Sequence, residues 1–130
     1  MAMSRGLADT SIFIARESGR PLQTEHLPDE LAVSAITIGE LRAGVLAATD
    51  TAARDQRLST LTAALALNPI PVDDTVASAW ARLRLALRDS KLKMPVNDSW
   101  IAATAIALGI PVVTQDDDFP ALEELDVIRV

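Results

Sequence analysis

Asp9, Glu40, Asp98 and Asp116 are the residues of this chain best placed to do chemistry. Each stands at the edge of an apolar segment. Asp9 follows Gly6-Leu7-Ala8, Glu40 precedes Leu41, Asp98 opens a run rich in Ala and Ile, and Asp116 lies just past Val112-Val113-Thr114. Carboxylates brought together repel one another unless a cation neutralises them. The chain has no cysteine and one histidine, His26, which excludes thiolate chemistry and multi-histidine metal sites. An all-oxygen donor set suits Mg²⁺ or Mn²⁺. Such an ion can polarise a phosphate and lower the pKa of a bound water, and a second can assist the leaving oxygen. Ser34 and Ser99 have no histidine base in register, so no nucleophilic triad competes. A plainer reading of the same acids stays open: helix caps plus an acidic surface turn.

Whether the four acids meet depends on the elements that carry them. Gly6 to Asp9 reads as a strand ending on a carboxylate, and Thr10 or Ser11 can cap a helix that begins with Ile12-Phe13-Ile14-Ala15 and fades by Gly19. The polar stretch His26 to Glu30 reads as surface. Leu31 to Ser34 is a second strand. Thr37 followed by Glu40 matches a capping box, so Glu40 is either a cap or a cleft carboxylate. Thr51 to Leu67 predicts a helix packing through Leu58, Leu61 and Leu65, with Arg54 and Arg57 outward. Pro69 to Val72 allows only a short edge strand. Asp73 or Asp74 caps a helix to about Arg88 whose packed face holds Val76, Trp80, Leu83 and Leu87. After a basic loop, Ser90 to Met94, comes a buried helix from Asp98 to Leu108, stopped by Gly109. Ile110 to Thr114 is a strand, Phe119 to Leu125 a turn or short helix, and Val127 to Val130 a final strand.

Strands alternating with helices predict a three-layer α/β/α sandwich around a mostly parallel sheet, one domain over residues 1–130. In such a sheet ligands bind beyond the carboxyl ends of the strands. Asp9 and Asp116 end strands there, and helices bearing Glu40 and Asp98 begin there.

The bulk numbers agree with a single packed domain: 130 residues, 49% of them hydrophobic. A formal net charge of -6 argues against a protein that coats nucleic acid, but not against one acting on it locally. Arg82, Arg84, Arg88, Lys91 and Lys93 form a basic stretch against Asp89 alone, and are the best candidates for contacting a nucleic-acid backbone; a solvated helix face is the plainer account. No apolar run approaches the roughly 18 residues of a membrane span, and Arg5 has no long apolar segment behind it. A cytoplasmic protein is expected.

Four blocks taken together resemble PIN-domain ribonucleases, specifically VapC-type toxins of bacterial toxin–antitoxin pairs. They are Leu7-Ala8-Asp9-Thr10-Ser11, Thr37 to Gly44, Asn97 to Ala105 and Val113 to Phe119. The resemblance covers nearly the whole chain. It implies that Asp9, Glu40, Asp98 and Asp116 hold Mg²⁺ or Mn²⁺ and activate water to cleave RNA, leaving 5′ phosphate and 3′ hydroxyl ends. It gives Asp118 an accessory role, as an alternative to Asp116, and leaves Asp117 facing solvent. Thr10 and Thr114 would stand beside the acids, Asn97 would order the turn before Asp98, and Arg42 would balance the acids, touch a phosphate or meet an inhibitor. A small VapB-like antitoxin and a homodimer are the implied partners.

Other functions fit less well. A haloacid-dehalogenase-like phosphatase needs an Asp where Ser11 stands. A receiver domain needs a central phosphoacceptor Asp and a late Lys. A flap-like nuclease would be longer, with a helical clamp. A non-enzymatic module would be expected to lose acids from the quartet. An RNA-processing PIN nuclease without a toxin role is the closest alternative.

Overall fold

The computed structural model describes residues 3–130. Four strands, β1 (Arg5–Ala8), β2 (Glu30–Val33), β3 (Val112–Thr114) and β4 (Val127–Arg129), form one sheet in the order β2-β1-β3-β4, and every pairing is parallel. Five helices cover it: α1 (Thr10–Ser18), α2 (Ala35–Ala47), α3 (Thr51–Leu65), α4 (Asp74–Asp89) and α5 (Val96–Leu108). The expected α/β architecture with a parallel central sheet is the one observed.

Strand alternation sorts the core into two layers. Leu7, Ala32 and Val112 face one side and pack with Leu83 and Leu87 of α4 and Ile101, Ala102 and Ala105 of α5. Their neighbours Ala8, Val33 and Val113 face the other side, against Ile12 and Phe13 of α1, Leu41 of α2 and Leu61 and Ala64 of α3. Each large apolar side chain so buried contributes about 1.5–3 kcal/mol. Helix α5 explains its own composition: Ile101 through Ala105 are all buried, so small residues on every face let α4 and the sheet approach together.

The helix starts differ from the sequence expectations in ways that matter for the site. Asp9 itself is the N-cap of α1, accepting from Ser11 N, and Thr10 is already helical. Ser34, not Thr37, caps α2, so Thr37 occupies the third helical position and Glu40 lies a turn further on. The capping-box reading of Glu40 is therefore wrong. Asp73 caps α4. Helix α5 begins two residues early, at Val96, with Pro95 as N-cap. In α3, Leu61 and Ala64 carry the packing while Leu58 and Leu65 stay 47% and 41% exposed. Arg54 and Arg57 do not point simply outward: their guanidinium groups donate to the carbonyls of Ala48 and Gly44 at the end of α2. Ile70 forms only a bridge to Ser34 at the sheet edge, as its flanking prolines require. Residues 119–125 form a turn closed by a bridge between Leu122 and Leu125, not a helix.

Candidate active site

Strand order places a topological switch between β1 and β3. From β1 the chain moves to β2 on one side, then returns through the helices to β3 on the other. A crevice opens beyond the carboxyl ends of strands at such a point. Here it is a cleft of about 560 Å³ whose lining includes Asp9, Glu40, Asp98, Asp116 and Asp118, with Thr10, Ser11, Asn97 and Arg20. All four acids singled out in the sequence reach it, and so does Asp118.

Asp9 is built in most firmly. It is 2% exposed, and its Oδ1 accepts from Ser11 N at 3.1 Å and Ser11 Oγ at 2.5 Å. Thr114 Oγ1 donates to Oδ2 at 2.6 Å. Each hydroxyl has one proton, and both are given to Asp9, so each must accept elsewhere. Ser11 Oγ accepts from Gln115 N and Thr114 Oγ1 from Asp116 N, each at 2.9 Å. Two backbone N–H groups past β3 are thus relayed through two hydroxyls onto one carboxylate. Burial raises the pKa of Asp9; the hydrogen bonds from Ser11 and Thr114 oppose that rise, and the charge of Asp116 adds to it. A carboxylate offers about four lone pairs. Three are used here, which leaves Oδ2 one to offer into the cleft.

Glu40 is held from the neighbouring helix. Thr10 Oγ1 lies 2.6 Å from Glu40 Oε1 and 3.0 Å from Thr37 Oγ1, so the Thr10 proton goes to the carboxylate and the Thr37 hydroxyl turns to Thr10. Asn97 Nδ2 approaches Oε2 only to 3.5 Å, a weak contact that still links α2 to α5.

Asp98 occupies the third position of α5. A carboxylate there commonly returns to the backbone N–H of the N-cap. Pro95 has no N–H, and α5 has no side-chain cap. The ordinary cap role is thereby removed, and Asp98 lines the cleft instead. Its pKa is pushed up to about 6, first by burial and then by the charges of Asp118, Asp9, Glu40 and Asp116. The turn that carries it is clamped from α4. Trp80 Nε1 donates to Ser99 Oγ at 3.0 Å, and Ser99 Oγ donates to Val96 O. The Trp80 ring stacks on Trp100 at 4.3 Å between centroids, and the Arg84 guanidinium lies over the Trp80 ring, 5.2 Å from its centroid. Trp80, expected in the core, is half-buried and acts as this clamp.

The donor chemistry of the described residues fits a hard divalent cation: five carboxylates, no histidine or cysteine, and an Asp98 that forms no ion pair. Among the described residues no three acids or histidines converge into a finished metal cage. Asp116 is half-buried and Asp118 exposed.

Other residues fall elsewhere. Thr114 does not line the cleft; it is fully buried beneath it. Asp117 is exposed and paired with Arg129. Arg42 is exposed and is not among the residues lining the cleft. Arg84, Arg88 and Lys93 line a separate pocket with Leu87, Leu92 and Met94, whose chain continues directly into Pro95 at the cleft wall; Arg82 and Lys91 are exposed nearby in sequence. Sequence reasoning gave no role at the site to Ser11, Thr37 or Arg20. Ser11 was legible in principle, since a hydroxyl two residues after a strand-terminal Asp can bond it directly. Arg20 carried no signal, because only the fold returns its loop to the cleft.

The PIN-domain family profile matches residues 7–125. Ribonuclease VapC5 of Mycobacterium tuberculosis is 49% identical over 128 residues, spanning 96% of this chain and 95% of that protein. Ribonuclease VapC4 of the same organism is 46% identical over the full length of both. The crystal structure of the toxin–antitoxin system VapBC-5, also from M. tuberculosis, superposes with a TM-score of 0.89 and 45% identity over 98% of this chain and 99% of that one.

Proposed function

The chain belongs to the PIN-domain family, among the relatives named VapC, and we propose that it is a metal-dependent endoribonuclease acting as the toxin of a toxin–antitoxin pair. One observation carries the reading: Asp9, Glu40, Asp98, Asp116 and Asp118 line one cleft at the sheet's switch point, and the half-buried Asp98 has lost its alternative role as a cap.

Mg²⁺ or Mn²⁺, when bound, would neutralise the acids, polarise the scissile phosphate and lower the pKa of a water. Asp9, Glu40, Asp98 and Asp116 would hold it, with Asp118 beside them. The chain's own contribution is orientation. Ser11 and Thr114 fix both oxygens of Asp9, Thr10 fixes one oxygen of Glu40, and the Trp80–Ser99 clamp seats the turn bearing Asp98. These contacts exist before substrate arrives, so little reorganisation is left for the reaction. In this reading water would add to phosphorus, the bond to the 3′ oxygen would break and that oxygen would take up a proton given up by the water, leaving 5′ phosphate and 3′ hydroxyl ends.

A VapB-like antitoxin is the proposed inhibitor. Its presence in the matched VapBC-5 assembly supports this, as do Ile14 and Val96, apolar and exposed at the cleft rim. We place the protein in the cytoplasm as a homodimer; no helix among the described residues is long and apolar enough to cross a membrane.

The test is cleavage of total RNA by purified wild type and Asp98→Asn in Mg²⁺, with the new ends mapped. Wild type is expected to cut at defined sites, and the variant, folded by circular dichroism, to cut none. Equal cleavage by both removes the assignment.

A further inference from the structure

The cleft contains one cation. Among the described residues Arg20 alone brings positive charge to a lining that holds five carboxylates. It pairs with none of them: the ion pairs of the described residues are Arg88 with Asp89 and Arg129 with Asp117. A guanidinium kept in an acidic cleft without an acidic partner is available to another anion.

Its backbone is fixed with some care. Gly19 adopts φ 75°, the left-handed conformation that ends α1, and Arg20 N donates back to Ala15 O at 2.8 Å. Pro21 restricts Arg20 to extended backbone. Gln115 Nε2 then donates to Pro21 O at 2.9 Å and to Val130 O at 3.1 Å. Gln115 immediately precedes Asp116, and its N–H bonds Ser11 Oγ. The segment that supports Asp9 and carries Asp116 therefore also positions the loop bearing Arg20.

Electrostatics say why such a group is needed. An RNA strand approaching five carboxylates is repelled, and a metal ion held by them would act only on the phosphate it touches. We infer that Arg20 is a substrate-binding residue that grips a phosphate of RNA entering the cleft. This rests on the ribonuclease reading above. Arginine suits the task because its planar fork can hold two phosphate oxygens at once, which the point charge of lysine cannot.

The experiment compares wild type, Arg20→Ala and Arg20→Lys as full-length proteins. Binding of a short random-sequence single-stranded RNA pool is measured in Ca²⁺, and cleavage of the same pool in Mg²⁺. Loss of a hydrogen-bonded charge contact predicts roughly ten- to a hundredfold weaker binding for Arg20→Ala. The loss should appear in KM with kcat nearly retained, and Arg20→Lys should recover part of it. The thermal shift produced by Mn²⁺ without RNA should be the same in all three. Unchanged RNA binding in Arg20→Ala beside an active wild type overturns the inference alone. A binding loss matched by an altered Mn²⁺ response also overturns it, making Arg20 a charge balance for the acids. A wild type that neither binds nor cleaves the pool overturns the ribonuclease reading and this inference with it.

Discussion

Without metal, removing the charge of Asp98 should make the protein more stable. The rise of its pKa from the ordinary 3.8 to about 6 means that the folded state holds the proton more tightly than the unfolded chain. Ionised Asp98 therefore destabilises the fold. Below the ordinary value the residue is neutral in both states and there is no penalty. The penalty grows as pH passes from about 4 to about 6 and is complete above that. At about 1.36 kcal/mol per pH unit, the full rise corresponds to about 3 kcal/mol. Asp98 is only half-buried, so solvent screening reduces this to about 1–2 kcal/mol. Its place in the first turn of α5 takes back a few tenths, because a helix N-terminus favours negative charge. Asp98→Asn should thus gain about 1 kcal/mol at pH 7.5 in chelator, a rise of about 3–6 °C in Tm. At pH 4 folded wild-type Asp98 is neutral and most of the advantage should disappear. Saturating Mn²⁺ should reverse the order, because binding to the native state stabilises wild type by mass action and the variant much less. The assay is thermal and urea unfolding over this pH range. An Asn variant no more stable than wild type at pH 7.5 would refute the reasoning, as would an advantage undiminished at pH 4.

Thr114→Val keeps the shape but removes the donor to Asp9 Oδ2 and the acceptor for Asp116 N. Stability in urea should fall by about 2–3 kcal/mol, and Mn²⁺ should bind more weakly; a change within experimental error would mean that the hydroxyl relay carries no energy. Gly6→Ala places a Cβ 2.6 Å from Val113 Cγ2 and 2.8 Å from Pro28 Cγ, so these side chains or β1 itself must shift. A loss of about 1–3 kcal/mol in chemical denaturation, with cleavage retained below Tm, is expected; a variant as stable as wild type would show that the packing around β1 yields freely.

The fold was legible because its signals are local and repeated: short apolar strands, Pro69 and Pro71 confining Ile70 to an edge bridge, Gly109 ending α5. The acids of the cleft were legible because each follows or precedes such an element at the sheet's carboxyl rim. What failed were the caps. Ser34 and Thr37 offer the same hydroxyl chemistry three residues apart, and only tertiary packing decides which one opens α2. Thr37 is buried against Thr10, a contact between helices that spacing along one helix cannot reveal. Pro95 shows the reverse: its missing N–H was readable, but its meaning for Asp98 appears only once α5 is known to start at Val96. Trp80 was assigned to the core on helical periodicity, which marks the packed face but does not distinguish its centre from its margin.

The Trp80–Trp100 stack gives the cleft an optical handle. The chain contains two tryptophans and no tyrosine, so nearly all its near-ultraviolet absorption and emission come from this one pair. The rings lie nearly parallel, at 2°, and Ser99, bonded to one ring, is the immediate neighbour of Asp98. Coupled transitions of this kind give a circular-dichroism signal that depends on the angle between the rings. The start of α5 thus carries its own chromophore, and any movement of that turn when Mg²⁺ or Mn²⁺ is added can be followed by light without attaching a label.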